Sequence, residues 1–480
     1  MLSRRCLLAS LPFAACHSLS GLSTYPGRGH VKRVPSAAAQ GSDPWAEAAR
    51  ILARIKPPVF PKRLFDITKH GAAGDGRKDN TAAISQAVAA CAAAGGGRVL
   101  IPPGDFLTGP IHLKSKVELH VAQGATLRFV TDPKAYLPAV FTRWEGLECM
   151  NYSPFIYAFE QTDIAVTGAG TLDGQSNNQF WWPWKGQSRY GWKKGDPEQS
   201  KARKRLHEAA EKDVAVAQRA FGEGDYLRPQ FIQPYRCQNV LIEGVTIRNS
   251  PMWEIHPTLC RNVTVRGVTV VTHGPNNDGC NPESSTDVLI ENCTFDTGDD
   301  CIAIKSGRNR DGRRLAAPSQ NIIVRGCTMK DGHGGVTIGS ECSGDVRNVF
   351  AEDCRMDSPN LDRALRLKTN SYRGGIIENI FFRRVAIGQV ADAIVHVDFF
   401  YEEGAGGAFR PTVRNIRVED VTCRKANYAL YLRGYESSPI RDVYLSRCTL
   451  DGVAKGNVVE NVSNVRLEKV TMNGAPLEKM

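Results

Sequence analysis

Asn239-Val240-Leu241-Ile242-Glu243-Gly244-Val245-Thr246-Ile247 and Asn321-Ile322-Ile323-Val324-Arg325-Gly326-Cys327-Thr328-Met329 are two copies of one pattern. Each opens on Asn or Asp, continues with Val or Ile, and alternates apolar with polar residues. The pattern recurs from Asn239, Asn262, Asp287, Asn321, Asn348, Asn379, Asn415, Asp442 and Asn464, at intervals of 23, 25, 34, 27, 31, 36, 27 and 22 residues. Self-similarity at about 20–50 residues marks a solenoid. β-Branched residues, strict alternation and Gly/Asn/Asp turns make each repeat a set of short strands. A regular leucine frame is missing, and the intervals are too uneven for propeller blades or helical repeats. A right-handed parallel β-helix places extra residues in loops while its strands keep stacking. The expected fold is therefore all-β, a right-handed parallel β-helix with a short N-terminal capping helix.

Cysteine use agrees. Cys293, Cys327, Cys354 and Cys448 fall where other repeats have Val245, Val268, Val385, Val421 and Val470. A position that takes Val or Cys is a small buried apolar site. The chain has 14 Cys and no CxxC pair, so structural thiols are expected rather than zinc, a redox centre or a disulfide framework.

Among 480 residues, 42% are hydrophobic, enough for a long core, because a solenoid core grows lengthwise. No stretch approaches the roughly 20 apolar residues of a membrane span. The formal net charge of +11 draws polyanions. Lys and Arg are scattered apart from Lys201–Arg205, and no nucleic-acid-binding motif appears. Charge alone leaves nucleic acid and an acidic polysaccharide near even as partners; the site residues below decide for the acidic polysaccharide, with no nucleic acid and a monomeric protein expected.

The expected organisation is an export signal over 1–17, a linker and N-terminal extension over 18–60, and a β-helix over 61–480 with a lobe inserted at 175–228. Ser3-Arg4-Arg5-Cys6-Leu7-Leu8 is similar to a twin-arginine leader, so export to the periplasm or beyond is expected. A short helix near Trp45–Ile55 interrupts the extension. Phe65-Asp66-Ile67 is a first strand, and Asp79-Asn80-Thr81 offers an N-cap to an amphipathic helix over 81–94 that covers the open end of the solenoid. The Gly71–Gly76 loop has no phosphate-loop sequence behind it. In the lobe, residues 198–221 are charged and helical. Trp181, Trp182, Trp184 and Trp192 either pack the lobe or form a wall for sugar rings.

The segments after the strand motif share a second frame. Asp278-Gly279-Cys280-Asn281-Pro282 aligns with Asp300-Cys301-Ile302-Ala303-Ile304, then with Gly334–Ile338 and Arg363–Leu367. Asp278 and Asp300 become equivalent one coil apart, as do Asp299 and His333. At about 4.8 Å per coil, Asp278, Asp299 and Asp300 cluster on one face, with His333 one coil along and Arg366 and Lys368 one further. Ile302 and Ile304 point inward; Ala303, Lys305, Arg366 and Lys368 point outward. An Asp cluster can cap turns or hold Ca²⁺. This set, with a His and two cations, favours catalysis: crowded carboxylates raise at least one pKa, giving an acid beside a base. That pair is what glycoside hydrolysis requires, and the cations suit a sugar carboxylate.

Asn276-Asn277-Asp278, Gly298-Asp299-Asp300, Gly332-His333-Gly334 and Arg366-Leu367-Lys368, in this order, resemble the polygalacturonase family, family 28 of the glycoside hydrolases, from about Phe65 to the C-terminus. Asn277 stands for the family's Thr and Leu367 for its Ile. The resemblance implies inverting hydrolysis of α-1,4-galacturonosidic bonds of pectin or polygalacturonate, without metal or cofactor. It implies that Asp299 is the general acid, that Asp278 and Asp300 activate water, and that His333 orients Asp299. Arg366, Lys368, Asn276 and Tyr401 would contact substrate. Ser340-Glu341, Ser358–Arg363 and the lobe tilt the expectation towards exo-action. Rival readings are a rhamnogalacturonan or xylogalacturonan hydrolase, a Ca²⁺-dependent pectate lyase, and a non-catalytic β-helix that binds polysaccharide.

Overall fold

The computed structural model describes residues 43–478; the leader-like segment lies outside them. Parallel strands visit the same walls coil after coil. One sheet has 13 strands and another 14, and the order within each follows the chain. The third wall runs through Ile111–His112, Ile156–Phe159 and Ile232–Tyr235. Single bridges at Ile255 and Cys280 then lead into Ile302–Ile304, Val336–Ile338 and Arg363–Lys368. This is the parallel β-helix expected from the repeat.

The opening Asn or Asp of the repeat now has a cause. Asn239, Asn262, Asp287, Asn321, Asn348, Asn379, Asn415, Asp442 and Asn464 all have φ between 55° and 60°, a left-handed conformation that Asn and Asp adopt more readily than other side-chain-bearing residues. Their side chains form a ladder between coils. Asn348 Nδ2 donates to Asn321 Oδ1 (3.0 Å), Asn379 to Asn348 (2.9 Å) and Asn415 to Asn379 (2.7 Å). In-register pairing follows, with Val240 opposite Val263, Val288 opposite Ile322, and Val349 opposite Ile380.

These inward residues form one continuous core, which includes Cys293, Cys327, Cys354 and Cys448. All twelve cysteines among the described residues are free and buried. The capping helix is Thr81–Ala93, with Ile84, Ala87, Val88 and Cys91 buried. Asp79 Oδ1 accepts from Thr81 N (2.9 Å) at its start.

The fold begins earlier than the sequence suggests. The helix Pro44–Arg54 lies in what reads as linker, yet Trp45, Ala48 and Ile51 pack with Leu289, Ile323, Phe350 and Phe381 on the outside of a sheet. An apolar outer stripe on that sheet requires a cover. An antiparallel hairpin, Val140–Trp144 with Leu147–Asn151, precedes the inserted lobe. It was not expected, because its alternation has the same period as the coils around it. The lobe's helix is Ser200–Glu211, and its Ala202, Leu206 and Ala210 pack with Trp144, Leu147, Met252 and Trp253. No helix among the described residues is long and apolar enough to cross a membrane.

Candidate active site

The third wall carries the cluster. Cys280 bridges Ile302, Ile302 pairs with Val336, and Thr337 pairs with Arg366. That register makes Asp278 and Asp300 neighbours across coils, and likewise Asp299 and His333. Carboxylate oxygens of Asp278, Asp299 and Asp300 lie within 4.8 Å of one another. Gly334 leaves the room: a Cβ there would sit 2.3 Å from Thr337 Oγ1 and 3.0 Å from Asp300 Oδ1.

Each carboxylate has its own partners. His333 Nδ1 is 3.1 Å from Asp299 Oδ1, which also accepts from the Asp300 N–H at 3.0 Å. Asp300 is fully buried; Lys368 Nζ donates to its Oδ2 (2.6 Å), while Arg366 Nη1 (3.2 Å) and the Thr337 hydroxyl (3.0 Å) donate to Oδ1. Asn281 Nδ2 donates to Asp278 Oδ2 (2.9 Å), and Lys305 Nζ lies 3.4 Å from the same atom.

These environments separate the pKa values. Burial, then the Asp299 charge, pushes Asp278 up to about 8. Burial also acts to raise Asp299, but the His333 hydrogen bond and charge, with Lys368 and Arg366, hold it well below the usual carboxylate range. Asp300 is lowered because Lys368 and Arg366 outweigh its burial. The hydrogen bond to Asp299 raises His333. The environments therefore favour the protonated form of Asp278 and the ionised forms of Asp299 and Asp300. Lys305, Arg366, Lys368 and His333 already pair with them, which makes the cluster less suited to a metal cation than its acid count suggests.

Tyr401 lies beside the cations, its ring centroid 5.3 Å from Lys368 Nζ and 5.8 Å from the Arg366 guanidinium carbon. On the opposite, N-terminal side stands the lobe. Trp182 Nε1 donates to Ser250 O (2.8 Å), and its indole lies over Gly274, where a Cβ would be 2.3 Å away. Lys185 Nζ (2.9 Å) and Arg228 Nη2 (2.8 Å) both donate to Asn276 Oδ1. The cluster is therefore bordered by cations on both sides.

Residues 217–471 match the family described as Glycosyl hydrolases family 28. The chain belongs to this family. Residues 64–125 also match the one described as Rhamnogalacturonase A/epimerase, pectate lyase-like. A solved hyperthermoactive exopolygalacturonase from Thermotoga maritima superposes with a TM-score of 0.88 at 45% identity, over 91% of this chain and 97% of that one. A probable polygalacturonase from Vitis vinifera is 29% identical over 408 residues, covering 81% of this chain and 74% of its own. The exo-poly-alpha-D-galacturonosidase of Dickeya chrysanthemi is 28% identical over 451 residues, covering 86% and 71%. As a family-28 protein, the chain is a glycoside hydrolase.

Of the residues singled out in this family-28 sequence, Asp278, Asp299, Asp300, His333, Arg366, Lys368, Asn276 and Tyr401 meet in one region. Three points differ from the expected picture. Arg366 and Lys368 point outward but are buried and paired with Asp300, so they serve the cluster as well as any ligand. Lys305 and Ala303 point away from the core yet are 3% and 0% exposed; Glu341 and Trp253 contact the Lys305 ammonium. The tryptophans divide: Trp181 and Trp184 pack the lobe with Tyr136, Tyr152, Phe155 and Tyr226, while Trp182 stands beside the cluster. Lys185, Arg228 and Asn281 were missed. Alternation could have placed Asn281; nothing local places the two lobe cations, which arrive through a long loop.

Proposed function

We propose that the protein is an exo-acting polygalacturonase that hydrolyses α-1,4-galacturonosidic bonds of pectin or polygalacturonate with inversion. The observation that carries this reading is the cluster of buried Asp278 and Asp300 with half-buried Asp299, flanked along the solenoid axis by Arg366, Lys368 and Tyr401 on one side and by Lys185 on the other. A polymer with a carboxylate on every sugar matches cations on both sides of a scissile bond. The names of the relatives at 45% and 28% identity support both the substrate and exo-action.

In this mechanism Asp299 protonates the glycosidic oxygen, and Asp278 and Asp300 hold and deprotonate water. Burial favours the protonated form of Asp278, and passing that proton to Asp299 on substrate binding leaves Asp299 the acid and Asp278 a base. The carboxylates sit closer than the roughly 6.5–9.5 Å of two-carboxylate inverting sites. Against a nucleophilic Asp300 stands its saturation, with both oxygens engaged by Lys368, Arg366 and Thr337. The lobe supports attack from the chain end, because it fills the N-terminal side of the cleft next to Asn276.

A time course on polygalacturonate with product sizes resolved tests the proposal: galacturonate monomer is expected from the first minutes, and a ladder of oligomers would overturn exo-action. The first product seen by NMR should be β-configured; an α anomer would overturn inversion. Unsaturated products that vanish in chelator would instead identify a lyase, and activity confined to rhamnogalacturonan or xylogalacturonan would move the substrate assignment.

A further inference from the structure

Lys305 belongs to none of the motif residues, yet it is built into the site. It lies one position past Ile304 on the strand that follows Asp300, and it is 3% exposed. Its Nζ is 3.4 Å from Asp278 Oδ2, donates to Glu341 Oε2 at 3.1 Å, and sits 4.4 Å from the Trp253 ring centroid. A charge over an aromatic face and between two carboxylates has little rotational freedom.

Glu341 is itself held. Arg308 Nη1 lies 3.5 Å from Glu341 Oε1, and Arg308 Nη2 reaches Glu402 (2.9 Å) and Glu403 (3.0 Å), next to Tyr401. Arg373 Nη2 closes the row at 2.7 Å from Glu402 and 3.1 Å from Glu403. Alternating charges therefore run from Asp278 to the Tyr401 loop, and Lys305 is the link that touches the cluster.

We propose that Lys305 is a positioning residue for hydrolysis: anchored by Glu341 and Trp253, its ammonium orients the Asp278 carboxyl group and weakens the affinity of the cluster for protons. This rests on the hydrolase reading above. The charged groups facing Asp278 are Asp299 and Asp300, which favour its neutral form, and Lys305 and Lys368, which oppose them; Glu254 also faces it, its own carboxyl pushed well up by burial and then by the Asp278 charge. Those facing Lys305 include Glu341, Asp278 and Asp300, with Lys368 and the buried His256 nearby. Burial acts to lower the Lys305 pKa, and the three carboxylates more than reverse this, so it stays charged. Glu341 is held near 2, because Lys305 and Arg308 outweigh its burial.

The two ends of this link predict opposite signs. Removing the ammonium in Lys305→Met makes the cluster bind protons more tightly, so the whole pH–rate profile moves to higher pH, by about one pH unit. kcat should fall by about tenfold or more with KM little changed, which corresponds to about 1.4 kcal/mol lost from the transition state alone. Removing the competing carboxylate in Glu341→Gln leaves Lys305 to Asp278, and the profile moves to lower pH. The experiment measures kcat and kcat/KM against pH on a galacturonate oligomer for wild type and both variants, with melting curves beside them. Opposite displacements carry the proposal. Profiles that stay at the wild-type position, or move the same way, overturn it. Should Lys305→Met not fold, Glu341→Gln decides alone: a downward shift supports the role, and an unmoved profile ends it. Failure of the underlying reading looks different, since the wild type would then release no reducing ends from polygalacturonate.

Discussion

Lys368 Nζ stands 2.6 Å from Asp300 Oδ2, with both side chains buried. They are 68 residues apart in the chain and meet because three strands of the third wall stack in register. A buried pair of this kind holds Asp300 ionised and immobile, as the proposed water-holding role requires.

Replacing Asp299 with Asn keeps the shape but removes the proposed proton donor. Turnover on polygalacturonate should fall by about 10²–10⁴-fold, the usual contribution of a general acid, with KM and melting temperature near wild type. Steady-state kinetics on a galacturonate oligomer checks this; unchanged turnover would favour a binding protein.

Asp278→Asn should separate stability from activity. Because Asp278 is raised to about 8, the folded protein keeps a proton that the unfolded chain releases near pH 4. The native state then binds more protons, so this group makes stability fall as pH rises from about 4 to about 8. Asn cannot titrate, so the variant should lose that part of the decline and melt higher relative to wild type at pH 8 than at pH 5, while being inactive. Melting curves at the two pH values show the sign.

Arg366→Ala leaves Asp300 with one cation fewer and takes a charge from beside Tyr401. Truncating one partner of a buried ion pair costs about 2–5 kcal/mol, so kcat/KM should drop by at least about 30-fold, with KM rising as well as kcat falling. An effect on KM alone would mean that Asp300 does not need this arginine.

Asn348→Ala tests the ladder away from the site. Its φ of 55° costs an ordinary side chain about 1–2 kcal/mol, and two ladder hydrogen bonds disappear, each worth about 0.5–1.5 kcal/mol. The urea midpoint should fall accordingly, Asn348→Gly should recover the conformational part, and activity below the transition should be unaffected.

The sequence by itself determined the coil. Asn at each repeat start, apolar alternation and Val/Cys interchange are local requirements of a left-handed turn, a two-faced strand and a small buried site, and they recur visibly because every coil meets the same constraint. Stacking at a constant rise then turns sequence offsets into distances, which is why the sequence itself brings Asp278, Asp299, Asp300, His333, Arg366 and Lys368 together. Tertiary structure alone decided how the parts outside the repeat dock: the helix Pro44–Arg54, expected near Trp45–Ile55, on the outer wall, the hairpin at Val140–Asn151, and the expected lobe with Lys185 against Asn276. It also decided that Lys305, outward by alternation, is buried against Asp278. Loops of these lengths can close in many ways at similar entropic cost, so their docking is chosen by packing and charge contacts with residues far away in the chain, which no local pattern records.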